Sequence, residues 1–390
     1  MSWPLVKLKD CCEVVGGATP KREIPEYWDS PDVPWVTPKD VSDLACPILE
    51  DAPEYISAAG FRSCSTSMVP KGSVLVTSRA PIGNIAIAGR DLCTNQGFKS
   101  LVPSASVDGL YLYYCMKHSS GRLQALGNGA TFKEVSKKIV EEFEIPLPPL
   151  PDQKRIAAIL DKADAIRRKR QQAIQLADDF LRAVFLDMFG DVVTSSGYES
   201  SERYKISGLV DYIDYRGKTP EKSETGIPLI TAKNVRNGYV DEDPREYIPE
   251  QNYDAWMTRG FPRKNDVLFT TEAPLGNVAL LGDYEKVAIG QRLIALRSKG
   301  KVTHEYLMFL LLHPFVQDLI FARSSGSTVK GIRTKELYDI ELPVPGMQKQ
   351  KEFSSIYWKA KSLTSNQESA HQLEMLNFCA LSQKAFSGQL

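Results

Sequence analysis

Apolar positions change their spacing along the chain, and each change predicts a different element. Val74-Leu75-Val76-Thr77 and Ile85-Ala86-Ile87-Ala88 are short β-branched runs flanking a Pro/Gly/Asn turn, which reads as two strands. Residues 111–124 read as helical. The run Pro146-Leu147-Pro148-Pro149-Leu150-Pro151 is expected to end the domain, because successive prolines continue neither a ladder nor a helix. From Asp152, read as an N-cap, Ile156, Ile159, Ala163, Ile166, Ala173, Ala177, Phe180 and Val184 recur in alternating three- and four-residue steps. That predicts one long helix with an a/d seam, stopped at Gly190. Residues 307–321, the most apolar run, contain His313, Pro314, Gln317 and Asp318. They are too short and too polar to span a bilayer and read as a buried helix.

The same succession is written twice. Gly17-Ala18-Thr19-Pro20-Lys21 matches Gly217-Lys218-Thr219-Pro220-Glu221, and Val36-Thr37-Pro38-Lys39-Asp40-Val41 matches Ile230-Thr231-Ala232-Lys233-Asn234-Val235. Thr77-Ser78-Arg79-Ala80-Pro81-Ile82-Gly83-Asn84 matches Thr270-Thr271-Glu272-Ala273-Pro274-Leu275-Gly276-Asn277. Gly129-Ala130-Thr131-Phe132-Lys133 matches Gly326-Ser327-Thr328-Val329-Lys330, and Ile145-Pro146-Leu147-Pro148 matches Leu342-Pro343-Val344-Pro345. Order is preserved at an offset that drifts only between 192 and 200 residues. A second helix with Phe353, Ile356, Ala360, Leu363, Ala370 and Leu373 on its seam follows the second copy.

The fold class expected is therefore α+β: two similar globular α/β domains joined by two long helices packed as an antiparallel coiled coil, a pseudo-twofold internal repeat. The expected bounds are 1–150 for the first domain, 151–190 for its helix, 191–198 for a linker, 199–345 for the second domain and 346–390 for the second helix. Arg170 and Gln367 fall at equivalent seam positions, where a polar residue either fixes register or snorkels into water.

Charge and cysteine content change the picture only by exclusion. The 48 basic and 48 acidic residues cancel, so any nucleic-acid footprint must be local. The densest basic stretch lies within residues 154–170, which carry Lys154, Arg155, Lys162, Arg167, Arg168, Lys169 and Arg170 against Asp161 and Asp164. It suits unread DNA, an acidic partner surface or no ligand at all. The seven cysteines are scattered with no CxxC pair, which suggests neither a zinc site nor a disulfide framework and suits a reducing cytoplasm. The start lacks a signal-peptide h-region. There is no GxxxxGK[ST] loop, no HExxH and no Asn-Pro-Pro-Tyr or Asp-Pro-Pro-Tyr segment. The copies share Thr, Lys, Gly and Pro rather than His, Asp or Cys, so no catalytic residue and no metal ligand is expected.

At Ile145-Pro146-Leu147-Pro148-Pro149-Leu150-Pro151-Asp152-Gln153-Lys154-Arg155-Ile156 the chain resembles the specificity subunits of Type I restriction-modification systems. The second copy departs from that motif, since Gly346-Met347 stands where the second Pro-Leu would be. The resemblance implies a non-catalytic target-recognition subunit. Each domain would read half of a split site in double-stranded DNA, and the helices would space the halves and dock two methylation subunits. Those partners would bind S-adenosylmethionine and supply adenine-N6 methyl transfer, and restriction/translocase subunits with endonuclease activity can join. No membrane and no cofactor of its own is implied. The specificity module of another DNA-modification or phage-defence system, or a protein-only scaffold, are the alternatives.

Comparing the copies sorts the candidate DNA contacts. Residues that agree suit scaffold or phosphate contact, which carries no sequence information. These are Lys39 with Lys233, Lys133 with Lys330, and Gln96 with Gln291; Lys21 and Lys218, which have no matching lysine in the other copy, are further candidate DNA contacts. Arg79 and Glu272 differ on one framework; arginine reads guanine O6/N7 and glutamate accepts from cytosine N4. Residues 22–32, with Tyr27 and Trp28, are confined to the first copy and read as a groove-entering loop or a flap on their own domain.

Overall fold

A computed structural model describes the chain apart from residues 1–2, 43, 45, 129–132 and 216–218, and apart from the side chains of 195–196, 365–369 and 371–372. The Gly129-Ala130-Thr131-Phe132 and Gly217-Lys218 repeat elements and the Gln367 side chain therefore lie outside the described residues. The chain forms two compact units, one of Met1–Ala173 with Gln367–Leu390 and one of Ile174–Asn366.

Among the described residues the first unit holds a five-stranded sheet in the order Cys12–Gly16, Lys99–Pro103, Val74–Ser78, Ile82–Ala88, Ile48–Leu49. A second sheet runs Glu54–Ile56, Val33–Val36, Cys93–Thr94, its middle strand antiparallel to the first and parallel to the last. Strand periodicity divides the core: Val74 and Val76 face Tyr111, Leu112 and Cys115 of helix Gly109–His118, while Leu75 faces Val36, Ala86 and Phe98. The second unit repeats the first four strands of the larger sheet with Val210–Asp214, Leu293–Ser298, Val267–Thr270, Val278–Leu280, and the smaller sheet with Tyr247–Ile248, Ile227–Ile230, Ala288–Ile289. Val267 and Phe269 there face Tyr306 and Leu310, and Leu268 faces the smaller sheet.

Each domain closes on matched polar clamps. The hydroxyls of Tyr111 and Tyr306 donate to the Pro146 and Pro343 carbonyls at 2.7 and 2.9 Å. Gln153, fully buried, donates to Ser106 O and Pro148 O and accepts from the Asp108 N–H at 2.8 Å. Gln350 repeats the pattern with Lys301 O, Pro345 O and the Thr303 N–H.

The long helices are Leu150–Phe189 and Met347–Ser387. The first begins earlier than expected. Pro151 lies in its first turn, where a missing N–H costs nothing, so Asp152 is a first-turn residue and not the N-cap. In the first unit the two helices pair antiparallel, Arg170 with Glu374 at 2.8 Å and Arg155 with the carbonyl of Leu390, just beyond the end of the second helix. In the second unit Phe185 packs on Phe353 and Asp178 pairs with Lys361. Arg170 is thus held by an interhelical ion pair.

The expected seam is buried at Ile156 but gives way further along to the column one residue on. Ile166 and Phe180 are 46% and 53% exposed, whereas Leu181 and Phe185 are 1% and 2% exposed. The buried column runs Gln153, Ala157, Leu160, Asp164 and, further on, Leu181 and Phe185. Two polar residues occupy it, so counting apolar positions selected the neighbouring column. On the second helix the expected Phe353 is fully buried and Ile356 and Ala360 pack against the core, but Leu363 and Leu373 are exposed while Tyr357 and Thr364 are buried. Asp164 is buried because Arg167, Arg168 and Lys117 surround it, at 2.7, 3.0 and 3.7 Å. Much of the basic stretch is therefore committed to internal partners.

Two helices replace the single one expected over residues 307–321. His304–Leu312 and Pro314–Ala322 meet at a 70° bend. The residue before a proline is driven out of the α region, and His313 is extended. Residues 111–124 likewise divide into Gly109–His118 and Ser120–Ala125. Residues 191–198 are folded: Val193 is buried and the Tyr198 hydroxyl donates to the Glu341 carbonyl. Residues 22–32 pack back on their own domain. Trp28 meets Trp35 edge-on at 5.2 Å, and Arg22 lies over Trp28 while pairing with Glu54. No single helix among the described residues is long and apolar enough to cross a membrane.

Candidate nucleic-acid interface

The repeated hairpin Thr-x-x-Ala-Pro-x-Gly-Asn has the same construction in both units. The threonine hydroxyl accepts the asparagine N–H, Thr77 from Asn84 at 2.9 Å and Thr270 from Asn277 at 2.8 Å. Gly83 and Gly276 have φ of 92° and 89°, and a Cβ at either would crowd a glutamine amide. Those amides, of Gln124 and Gln317, donate to the tip carbonyls of Ile82 and Gly276. Ala80-Pro81 and Ala273-Pro274 are both cis. The agreeing residues thus build the turn, and Arg79 and Glu272 project from it at equivalent places.

Two further loops meet the hairpin. The Gly97 carbonyl accepts the Ser78 N–H at 2.7 Å, and the Arg292 carbonyl accepts that of Thr271 at 3.0 Å, which sets Gln96 and Gln291 beside the tips. The loops from Asn128 to Glu134 and from Ser325 to Gly331 are each closed by a reciprocal pair of backbone hydrogen bonds. Their following residues, Val135 and Ile332, donate to Ser78 O and Thr271 O. Each unit therefore carries an open cleft at its hairpin tip. One of about 640 Å³ is lined by Arg79, Pro81, Lys133 and Glu134; the other, of about 570 Å³, by Glu272, Gln291, Arg292, Gly331 and Arg333. Lys330 belongs to the same loop as Gly331 and is exposed.

The structure thus gathers Arg79, Gln96 and Lys133 in one unit and Glu272, Gln291 and Lys330 in the other. It does not bring the remaining lysines there. Lys39 and Lys233 are exposed on turns held by Thr37 with Asp40 and Thr231 with Asn234, and Lys233 lies 3.7 Å from Glu246. Lys21 sits beside the flap, its carbonyl accepting from Trp28. Gln96 pairs with Thr19, and Lys218 is outside the described residues.

Sequence comparison missed the charges that answer Arg79 and Glu272. Glu134 stands 3.9 Å from Arg79 and 3.6 Å from Lys99, while Arg292 meets Glu272 at 2.9 Å. The signal was present: Glu134 aligns with Gly331 and Gly97 with Arg292, each one residue beyond a matched position. Differences at those two places mark the cleft as surely as Arg79 and Glu272 do.

A family model described as Type I restriction modification DNA specificity domain matches residues 2–176 and again 198–370. The Type I restriction enzyme MjaIX specificity subunit of Methanocaldococcus jannaschii is 37% identical over 369 residues, covering 89% of this chain and 84% of the relative. The MjaVIII specificity subunit of the same organism is 24% identical over 285 residues, 69% of this chain and 67% of the relative. The crystal structure of a Type-I restriction-modification S subunit from M. genitalium superposes with a TM-score of 0.61 over 99% of this chain and 96% of that one. At 14% identity this is a likeness of fold.

Proposed function

This chain belongs to the Type I restriction-modification DNA specificity family, and from that premise we propose that each of its units reads one half of a divided site in double-stranded DNA. The observation that carries the reading is the pair of clefts, one frame built twice with different polar groups in it. A repeat that conserves its turn and varies what the turn presents is suited to recognising two different half-sequences. Lys133 and Lys330 beside the clefts, and Lys21, Lys39, Lys218 and Lys233 on the same domains, serve as phosphate contacts. Arg79 and Glu272, which differ, face base edges, while Gln96 and Gln291, which agree, serve with the lysines as backbone contacts.

Chemistry belongs to partners. Exposed Ile166, Leu176, Phe180 and Leu186 on the first long helix, and Leu363, Leu373 and Leu376 on the second, are apolar side chains left uncovered. They support docking of two methylation subunits, which carry S-adenosylmethionine and transfer its methyl group to adenine N6. Restriction/translocase subunits join the same assembly, which works in the cytoplasm. The test is methyl transfer from labelled S-adenosylmethionine to mixed-sequence DNA. The isolated chain is expected to transfer none, and the complex with its methylation partners to label adenines within a divided motif. Transfer by the isolated chain overturns the reading.

A further inference from the structure

The two clefts share a frame but reverse its charge. In the first unit the hairpin presents the cation, Arg79, and the facing loop the anion, Glu134. In the second the hairpin presents the anion, Glu272, and Arg292 answers it from a third loop, where the first unit has only Gly97. Gly331 holds the place of Glu134, so the reversal is not a simple exchange of two residues. Arg79 and Glu134 are 37% and 42% exposed, Arg292 and Glu272 49% and 45%. Pairs so exposed contribute only about 0–1 kcal/mol to folding, so stability is a weak reason for either. Each nevertheless holds a guanidinium fork beside a carboxylate in the mouth of a cleft.

That combination has a natural complement. The major-groove edge of a G·C pair offers the O6 and N7 acceptors of guanine next to the N4 donor of cytosine. The fork satisfies the first and the carboxylate the second. We propose that each ion pair reads one G·C base pair as a unit, the arginine on guanine and the glutamate on cytosine. Arg292 is thereby a specificity-determining residue of the second half-site. The reversed polarity sets guanine under the hairpin in the first half-site and cytosine under it in the second. The inference rests on the proposed DNA-reading function and adds to it the base pair and the residues that read it.

The experiment is selection from duplexes randomised at both half-sites, using the assembled complex with its methylation partners. Wild type, Arg292→Ala and Glu272→Gln are compared, with thermal unfolding of each as the folding control. The wild type should require G·C at one position of the second half-site. Both variants should lose discrimination there by about ten- to a hundredfold, read the first half-site unchanged and unfold as the wild type does. Uniform weakening over all sequences makes Arg292 a phosphate contact and overturns the inference, as does relaxation at an A·T position or at two different positions. A wild type that selects no sequence overturns the proposed function itself and the inference with it, and that failure shows in the wild-type arm alone.

Discussion

Gln153 and Gln350 are buried polar residues whose amides each make three hydrogen bonds to backbone groups. Gln153→Ala is expected to leave the Asp108 N–H and two carbonyls unsatisfied, at about 1–3 kcal/mol, measurable by denaturant unfolding. Asp164 has a different logic. Burial pushes its carboxyl pKa up, but Arg167, Lys117 and Arg168 outweigh burial and hold it below the ordinary value of 3.8. A carboxyl depressed in the folded state stabilises above its unfolded pKa and loses that contribution as pH falls through the folded one. Wild type should therefore exceed Asp164→Asn in stability at neutral pH, with the difference shrinking below about pH 4; a pH-independent difference would contradict this. At the interface, Lys133→Ala should weaken binding alike for all sequences and lower the salt slope by about one. Residues of this kind were only half legible. The glutamine stood in the recognised motif, yet its sequence says nothing of burial, and Glu134 and Arg292 gain meaning only when three separate loops are seen to meet.

Helix existence was legible from periodicity over many turns, but which face is buried was not. The first long helix offers two adjacent columns, one with Ile166 and Phe180, the other with Gln153, Asp164, Leu181 and Phe185. One residue turns a helix by about 100°, so choosing between them decides what packs. Hydrophobic counting favours the first column. The structure favours the second, because its polar members are satisfied, Gln153 by backbone groups and Asp164 by Arg167 and Arg168 of its own helix and Lys117 of the globular domain. Phe185→Ala is expected to cost about 3–5 kcal/mol and Phe180→Ala no more than about 0.5 kcal/mol, by chemical denaturation. Phe180→Glu should leave the fold intact and weaken co-purification with the methylation subunits. The division of residues 307–321 into two helices was readable at His313-Pro314, where the local rule for proline should have outweighed the apolar run.

At the scale of the molecule the duplication was legible because both copies lie in one chain and serve as each other's alignment. Strand order, the hairpin tip and the closing glutamine recur in both units. In the first unit Trp3 donates to the Ala385 carbonyl, and Arg155 to that of Leu390, so the two ends of the described chain lie together. Joining them and reopening the chain within residues 192–197 should give a folded subunit that still assembles with its partners. A permuted chain that folds but does not assemble would count against interchangeable units. The central claim is that each unit reads its half-site independently, and exchange of domains tests it most directly. Residues 199–345 are replaced by a second copy of residues 1–150, and the complex selects from duplexes randomised throughout. The account predicts a divided motif whose two blocks both carry the sequence read by the first domain. Loss of the second block, or a changed first block beside it, would contradict independent reading by two equivalent units.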